Sequence, residues 1–253
     1  MERIHNYLRD QDAIRPLLGP AFDNLVRGNT NDFVKLLETF FKTRAPRSFF
    51  SVNEAMLQNI VEFILDKPSY RVPELRLVVD GNKEKGEGRY GFADLFIPAT
   101  TTISGTRTFA ELLELKYITL KGLLKGEVNN WRHLPTYSDM EDLEKRLSGD
   151  NEDKILGRNY MYWSKDLRRP VTKTVGSILE GGVEQLTMYM ETVAKGQTNN
   201  WNNSGILDKR IKVGDGSDFL QGHVVMGIGR CRFFVRSTQP TPTSKEYNRI
   251  LQF

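Results

Sequence analysis

The sequence predicts a mixed α/β fold of the α+β kind, and three observations support this. Apolar residues in the first quarter of the chain recur at three- and four-residue spacing, which is typical of amphipathic helices. Short apolar runs at 75–79, 92–97 and 109–118 are separated by turn-forming residues, which predicts consecutive strands. A long helix at 177–195 and a strand pair within 223–236 then complete a sheet flanked by helices.

The N-terminal segment is expected to be helical over residues 1–50, with Asn31 as a candidate N-cap and Pro46 as a stop. A second helix is expected to begin at Ser51-Val-Asn-Glu54, which has the Ser-x-x-Glu form of a capping box. Its apolar face runs to Pro68. Helices should therefore precede the first strand.

The three short strands are expected to form an antiparallel meander behind that helix. Residues 121–176 are mixed and polar, with one charged helix at 139–147, and we interpret them as an insertion or lid. After residue 236 the sequence reads as a tail rich in Pro, Thr and Ser. The resulting organisation is an N-terminal helical part at 1–50, followed by a domain at 51–253 that contains the insertion.

Composition excludes several classes of protein. The 253 residues include 36 Lys and Arg against 32 Asp and Glu, three His and the single Cys231. One cysteine cannot build a disulfide framework, and so few His and Cys exclude a zinc site of the Cys/His type. A bound metal would have to be a hard ion on carboxylates. No apolar run approaches the roughly 18 residues of a membrane span and no secretory signal is visible, so an intracellular protein, cytoplasmic or nuclear, without a membrane partner is expected.

One glycine pattern has the residue spacing of a dinucleotide-binding fingerprint but not its structural context. Gly86-Glu-Gly88-Arg-Tyr-Gly91 has the G-x-G-x-x-G spacing, but that fingerprint needs a helix after the glycines and here a strand follows. We therefore expect a hairpin loop. The sequence also lacks a P-loop and a Gly-x-Ser-x-Gly nucleophile elbow, so neither ATPase nor serine hydrolase chemistry is indicated.

The stronger chemical signal is a charged pair inside an apolar strand. Because strand side chains alternate between faces, Glu114 and Lys116 share one face of the strand at 109–118. Asp94 stands within the preceding apolar strand, where a carboxylate is costly to bury without a cation. Two carboxylates on neighbouring strands can hold Mg²⁺, and the adjacent Lys can position the attacking water or stabilise developing charge. The alternative is a surface Glu–Lys ion pair of little energetic consequence.

This arrangement resembles the PD-(D/E)xK phosphodiesterase superfamily, the restriction-endonuclease-like proteins. Asp94, then Glu114-x-Lys116, with a helix before and a helix after, follows the order of that family's motif. The resemblance implies an α-β-β-β-α-β core with N-terminal helices and an inserted subdomain. Ala93 stands where the superfamily name has Pro, and the long gap between Lys116 and Gln185 is what implies the insertion.

Two further positions match the same superfamily. Its first helix often supplies a Glu, which here is Glu54, and several branches carry Gln-x-x-x-Tyr on the helix after the third strand, here Gln185-Leu-Thr-Met-Tyr189. The resemblance thus implies Asp94, Glu114, Lys116 and Gln185 as catalytic residues, with Glu54, Asp94 and Glu114 as ligands of Mg²⁺, for which Mn²⁺ can substitute. Glu54 could instead be only a capping-box member, and Tyr189 only a core residue.

A nucleic-acid surface is suggested by basic residues interleaved with aromatic ones, since cations neutralise phosphates and aromatic rings stack on unpaired bases. The alternative is an ordinary solvated, charged face. The candidate nucleic-acid-binding residues are Arg89, Arg158, Lys165, Arg168, Arg169, Lys173 and Tyr189.

The leading hypothesis is a Mg²⁺-dependent nuclease that hydrolyses phosphodiester bonds, acting on nucleic acid, with DNA favoured over RNA. The resemblance is to the branch found C-terminal to AAA-type ATPase-like domains and in fungal and Crinkler-type effectors, so an ATPase-like domain or protein is a further candidate partner. A second hypothesis is a nuclease-like module without catalysis that binds nucleic acid or a partner protein. A third is an unrelated α+β interaction protein, which requires Glu114 and Lys116 to face solvent away from Asp94.

Overall fold

A seven-stranded mixed sheet with helices on both faces forms the centre of the protein. The computed structural model describes residues 17–25, 27–44, 52–65, 71–99, 109–200 and 202–250. Residues 17–25 form helix α1. The remaining helices are α2 (Asn31–Arg44), α3 (Glu54–Ile64), α4 (Leu120–Glu127), α5 (Tyr137–Gly149), α6 (Glu152–Leu156) and α7 (Val175–Ala194). The first strands are β1 (Val72–Val78), β2 (Tyr90–Ile97), β3 (Ala110–Ile118), β4 (Asn159–Ser164) and β5 (Arg169–Thr174). The last strands are β6 (Gly205–Ile206), β7 (Ile211–Ile228), β8 (Arg232–Ser237) and β9 (Thr241–Arg249).

The strand order of the large sheet is β6-β1-β2-β3-β7-β8, and β9 pairs with the first half of β7. Strands β1, β2 and β3 pair antiparallel, which confirms the expected meander. In contrast, β3 and β7 run parallel, in a continuous register from Ala110 opposite Leu220 to Ile118 opposite Ile228. A parallel pair requires a crossover connection, and here α4 to α7 lie in it. Strand β3 is therefore central, with a strand on each side.

Each face of the sheet is covered by its own apolar core. Helices α1, α2 and α3 pack on one face with alternate residues of β3 such as Leu113 and Leu115. Helices α4 to α7 pack on the other face with Ala110 and Leu112. The helices of the first fifty residues thus share a core with α3 and the sheet.

A buried polar chain links three strands on the α1–α3 side. Nε2 of His223 on β7 lies 2.8 Å from Oε2 of Glu111 on β3, and Nδ1 lies 2.8 Å from Oγ of Ser237 on β8. Both Glu111 and His223 are fully buried. These hydrogen bonds offset part of the cost of burying polar groups between parallel strands.

Most of the expected elements are present, but the interpretation of the C-terminal segment is wrong. The segment after residue 236 is not a tail, because β9 pairs along β7 from Thr241 to Arg249. Pro242 is tolerated there because β9 pairs only with β7, and proline is compatible with an edge strand. Strand β7 is also much longer than the predicted run at 223–229.

Two other expectations about local structure are confirmed. Gly86 and Gly88 have φ angles of 99° and 88° and lie in the turn between β1 and β2, so the glycine pattern is a hairpin loop. Gly196, with φ of 87°, follows the C-cap of α7 as expected. The N-cap prediction for Asn31 is wrong, because Asn31 is the first helical residue of α2 and the carbonyl of Thr30 accepts the first helical hydrogen bond, from the N–H of Val34. Pro46, Ser51 and Pro68 lie outside the described residues. No helix within the described ranges is long and apolar enough to cross a membrane.

Candidate active site

Three elements bring four predicted site residues together beneath α7, where β2 and β3 stop pairing. Asp94 lies on β2, Glu114 and Lys116 on β3, and Gln185 on α7, which packs over β3. Because β3 alternates faces, Glu114 and Lys116 point toward α7 on the same side as Leu112. The pattern of a charged pair inside an apolar strand thus places two polar groups beneath a helix.

Asp94 lies where β2 and β3 stop pairing. The β2–β3 ladder ends with Leu95 opposite Leu113, and the next part of β3 is bonded by a side chain instead. Oδ2 of Asp94 accepts a hydrogen bond of 2.6 Å from the backbone N–H of Leu115. This bond replaces a backbone partner and fixes one carboxylate oxygen beside the Glu114–Lys116 pair.

Lys116 connects the two sides of the site. Its Nζ donates to Oε1 of Glu114 at 2.6 Å and to Oε1 of Gln185 at 3.2 Å. The side chain of Glu114 is 2% exposed and that of Lys116 is 23% exposed. The third hypothesis requires this pair to face solvent. The pair does not face solvent, so the third hypothesis is not supported.

Helix α7 can approach Lys116 closely because Gly182 has no side chain. A Cβ atom at Gly182 would lie 3.1 Å from Cγ1 of Val224 and 3.5 Å from Cγ of Lys116. One turn later, Gln185 reaches the ammonium group. The glycine thus sets the height of the helix above β3.

The hydroxyl group of Tyr189 holds the side-chain amide of Gln185 by a hydrogen bond. Nε2 of Gln185 donates to Oη of Tyr189 at 3.1 Å, and Tyr189 is 6% exposed. A Cβ atom at Gly91 of β2 would lie 2.5 Å from Cε1 of Tyr189, so the glycine makes room for the ring. Tyr189 is therefore both a core residue and a positioning partner of Gln185.

Glu54 is the first residue of α3 and lies at the edge of the site. The N-cap of α3 is Asn53, whose side chain accepts from the backbone N–H of Met56 at 3.0 Å, so Glu54 is not the third residue of a capping box begun at Ser51. The Glu54 carboxylate instead has a hydrogen bond with the Tyr117 backbone and feels the charges of Lys116 and Asp94. This contact with β3 is what the capping interpretation did not anticipate.

The site concentrates negative charge around Asp94. Burial and the charge of Asp94 raise the pKa of Glu114 to about 7, although Lys116 opposes the shift. Burial also raises the pKa values of Asp94 and Glu54. For Lys116, burial lowers the pKa, but the Glu114 carboxylate and the other acids outweigh it, so the ammonium form is favoured. Three carboxylates thus share one cation.

The donor atoms fit a hard divalent cation held by few protein ligands. Within the described residues, no three or more His, Cys, Asp or Glu side chains are grouped as a metal-ligand set. Mg²⁺ is often bound by only one or two carboxylates and completes its shell with water and phosphate oxygens. Oε2 of Glu114 is buried without a hydrogen-bond partner, and Asp94 adds a second carboxylate beside it. An orphaned oxygen in a cluster of excess negative charge is where such a cation would be accommodated.

Sequence reasoning missed Glu74, which also borders the site. Glu74 interrupts β1 with φ of 51°, between Pro73 and Leu75, which pair with Leu95 and Ala93 of β2. Burial and then the charge of Asp94 raise its pKa. Glu74 immediately precedes the strand predicted at 75–79, and a positive φ at a glutamate is not visible in a sequence.

The predicted nucleic-acid-binding residues fall into three groups. Lys165, Arg168, Arg169 and Lys173 are exposed on the hairpin of β4 and β5. Arg89 is half-buried in the β1–β2 turn, where its Nε donates to the carbonyl of Lys83.

The other two predicted binding residues have side-chain partners within the fold. Arg158 is 12% exposed and is ion-paired with Asp150, at 2.6 Å, and with Glu127. Tyr189 is buried beside Gln185. We therefore leave Arg158 and Tyr189 out of any proposed binding surface.

Comparisons of the chain with family models, with curated proteins and with solved structures found no match.

Proposed function

We propose that the protein is a metal-dependent nuclease with a restriction-endonuclease-like core of the PD-(D/E)xK kind. The single observation that carries the proposal is the convergence of Asp94, Glu114, Lys116 and Gln185 from β2, β3 and α7. The order α3, β1, β2, β3, α7, β7, with β3 parallel to β7, supports it because it follows the α-β-β-β-α-β order of that core.

Asp94 and Glu114 would hold Mg²⁺, or Mn²⁺ in its place, and the ion would supply Lewis-acid polarisation of a phosphate and of a bound water. Glu54, whose carboxylate feels the charges of Lys116 and Asp94, would assist directly or through water. In hydrolysis the water would lose a proton as its oxygen forms a bond to phosphorus, the bond to the leaving ester oxygen would break, and that oxygen would take up a proton.

Lys116 acts in this scheme as a cation and not as a base. Its raised pKa keeps the ammonium group protonated at neutral pH, so it can donate hydrogen bonds to the attacking water or to a phosphate oxygen. Gln185 holds the ammonium group from the helix side, and Tyr189 fixes the amide of Gln185. Orientation of the nucleophile, and not its deprotonation by Lys116, is the role that this geometry favours.

A cleavage assay on single- and double-stranded DNA and RNA, with Mg²⁺, Mn²⁺ or EDTA, tests the proposal. Glu114→Gln and Lys116→Met should each lower the cleavage rate by about 100-fold or more, because each removes a group that contacts the reacting atoms. Glu141→Gln and Lys145→Met, on the exposed face of α5, are matched controls and should cleave like the wild type.

Retained cleavage in Lys116→Met, or cleavage in EDTA, would contradict the proposed site. Circular dichroism shows whether each variant is still folded, so that a loss of cleavage activity can be distinguished from unfolding. Metal-independent binding of nucleic acid without any cleavage would instead support the second hypothesis, a nuclease-like module without catalysis.

A further inference from the structure

A groove beside Lys116 has features that select one form of substrate. It is about 430 Å³ in volume and lies between the β4–β5 hairpin, the start of α7 and the end of β3. Glu54 and Lys116 lie on its wall, so it opens directly onto the candidate active site. Its volume is that of a pocket for a small molecule, which would admit one or two nucleotides and not a duplex.

One wall of the groove is aromatic. Tyr160 and Tyr162 alternate along β4 and so share a face of the hairpin, and their rings stack with centroids 5.9 Å apart and planes at 17°. Both rings are half-buried. An aromatic platform of this kind can stack with a base of any sequence, because every base has a π-face.

The two tyrosines differ in how firmly they belong to the fold. A Cβ atom at Gly122 of α4 would lie 2.2 Å from Cε2 of Tyr160, and the Tyr160 hydroxyl is 3.5 Å from that of Thr119. Tyr160 is therefore packed against α4. Tyr162 lies two residues further along β4 and stacks on Tyr160. Replacing Tyr162 therefore leaves the packing of Tyr160 against α4 in place.

Positive charge accompanies the aromatic wall. Lys173 lies directly opposite Tyr160 in the β4–β5 register and lines the same groove as Lys116. The first turn of α7, which supplies Ser177 to the groove, contains no acidic residue. A strand whose base stacks on Tyr162 would thus have cations available for its phosphates on both sides.

We propose that this groove binds an unpaired strand of nucleic acid, with a base stacked on Tyr162 and the adjoining phosphate directed to Lys116. The inference rests on the proposed nuclease function and narrows its substrate to single strands and unpaired ends. In a duplex the bases are paired and stacked inside the backbone, so they cannot reach a tyrosine ring in a groove of this size.

Binding and cleavage by matched variants test this inference. Binding is measured by fluorescence anisotropy in EDTA, with labelled oligo-dT, oligo-rU and a blunt DNA duplex of about 20 nucleotides, longer than the roughly 4–16 nucleotides that such grooves cover. Tyr162→Leu should weaken binding of the unpaired strands by about 5- to 150-fold, which corresponds to the loss of one stacked base.

Two control variants define the stacking contribution. Tyr162→Phe keeps the ring and should bind like the wild type. Trp163→Leu alters the next residue of the same strand, which is 49% exposed and packs against Trp131 on the other face of the hairpin, and should also leave binding unchanged.

Two results would overturn the inference: equal affinity for the duplex and the single strands, or unchanged single-strand binding by Tyr162→Leu. Cleavage separates this failure from failure of the proposed function. Cutting of the blunt duplex, unaffected by Tyr162→Leu, would overturn the inference and leave the nuclease function standing. Single-strand binding lost in Tyr162→Leu, with no cutting under any metal, would support the groove and overturn the nuclease function.

Discussion

Glu114 is buried at the candidate active site, and its burial has a thermodynamic cost. The folded protein raises its pKa from 4.5 to about 7, so between these two values the native state binds a proton that the unfolded state does not. In the absence of metal, stability therefore falls as the pH rises through this window, and the full cost is present above it.

Glu114→Gln removes that titration and should alter the pH dependence of stability. Relative to the wild type, the variant should gain up to about 3 kcal/mol in free energy of unfolding between about pH 4.5 and about pH 8, since one pKa unit corresponds to ~1.4 kcal/mol. Urea unfolding in EDTA at several pH values measures it. Glu141 is 51% exposed, so the free energy of unfolding of Glu141→Gln should change with pH in the same way as that of the wild type. A difference between Glu114→Gln and the wild type that does not vary with pH would refute the assignment.

At the residue scale, sequence reasoning succeeded where strand periodicity applied and failed where backbone detail decided. Alternation along β3 was enough to place Glu114 and Lys116 on one face. The same reasoning could not show that Glu54 contacts the Tyr117 backbone, since that contact depends on how α3 docks on the sheet. Glu74 was missed because its position depends on a local φ of 51°.

At the scale of elements, the groove depends on how α4 holds the β4–β5 hairpin. Gly122 and Gly126 lie one turn apart on α4 and both face β4. A Cβ atom at Gly126 would lie 2.2 Å from the carbonyl oxygen of Asn159, an atom of the backbone that cannot rotate away. Glycine is required here because helix and strand touch through their backbones.

Gly126→Ala should therefore force the hairpin away from α4. We expect a loss of about 1–3 kcal/mol in free energy of unfolding, as for other overpacked sites. Gly181→Ala on α7 is the matched control, because a Cβ atom there meets nothing within 4 Å. It should leave stability unchanged or raise it by up to about 1 kcal/mol, since alanine favours a helix over glycine. Chemical unfolding measures the free energy of unfolding of both variants. Equal values for Gly126→Ala and Gly181→Ala would contradict the close packing of α4 against β4.

The elements that the sequence did not reveal share a physical cause. Helix α4, helix α6 and the hairpin lie in a polar stretch where apolar periodicity is short, so only α5 was predicted within the insertion. Strand β9 has the composition of a loop, with Pro242 and several Thr and Ser residues, and becomes a strand only because β7 offers it an edge. Tertiary pairing, and not local preference, decides such segments.

At the scale of the whole molecule, the modest net charge of +4 hides a local concentration of cations. Lys165, Arg168 and Arg169 are exposed at the tip of the hairpin that forms one wall of the groove. Phosphate contacts release counterions, so each contact steepens the dependence of binding on salt.

Replacing these three residues together by Ala should make single-strand binding less salt-dependent. The slope of log K against log salt concentration should become shallower by about 2, because each contact to a single strand contributes roughly 0.7. Anisotropy titrations at several salt concentrations measure the slope. Lys145→Ala on α5, whose side chain is 69% exposed, should leave the slope unchanged. Identical slopes for the triple variant and the wild type would exclude the hairpin tip from the interface.

The parallel pairing of β3 with β7 also governs when this protein can mature during its synthesis. Each residue of β3 waits for a partner 110 positions later, as Ala110 does for Leu220. At the ~5–20 residues per second of a ribosome, that wait is roughly 6 to 22 s. Throughout it the nascent chain exposes an apolar β3 edge without its partner strand, which makes this edge a natural target for chaperones.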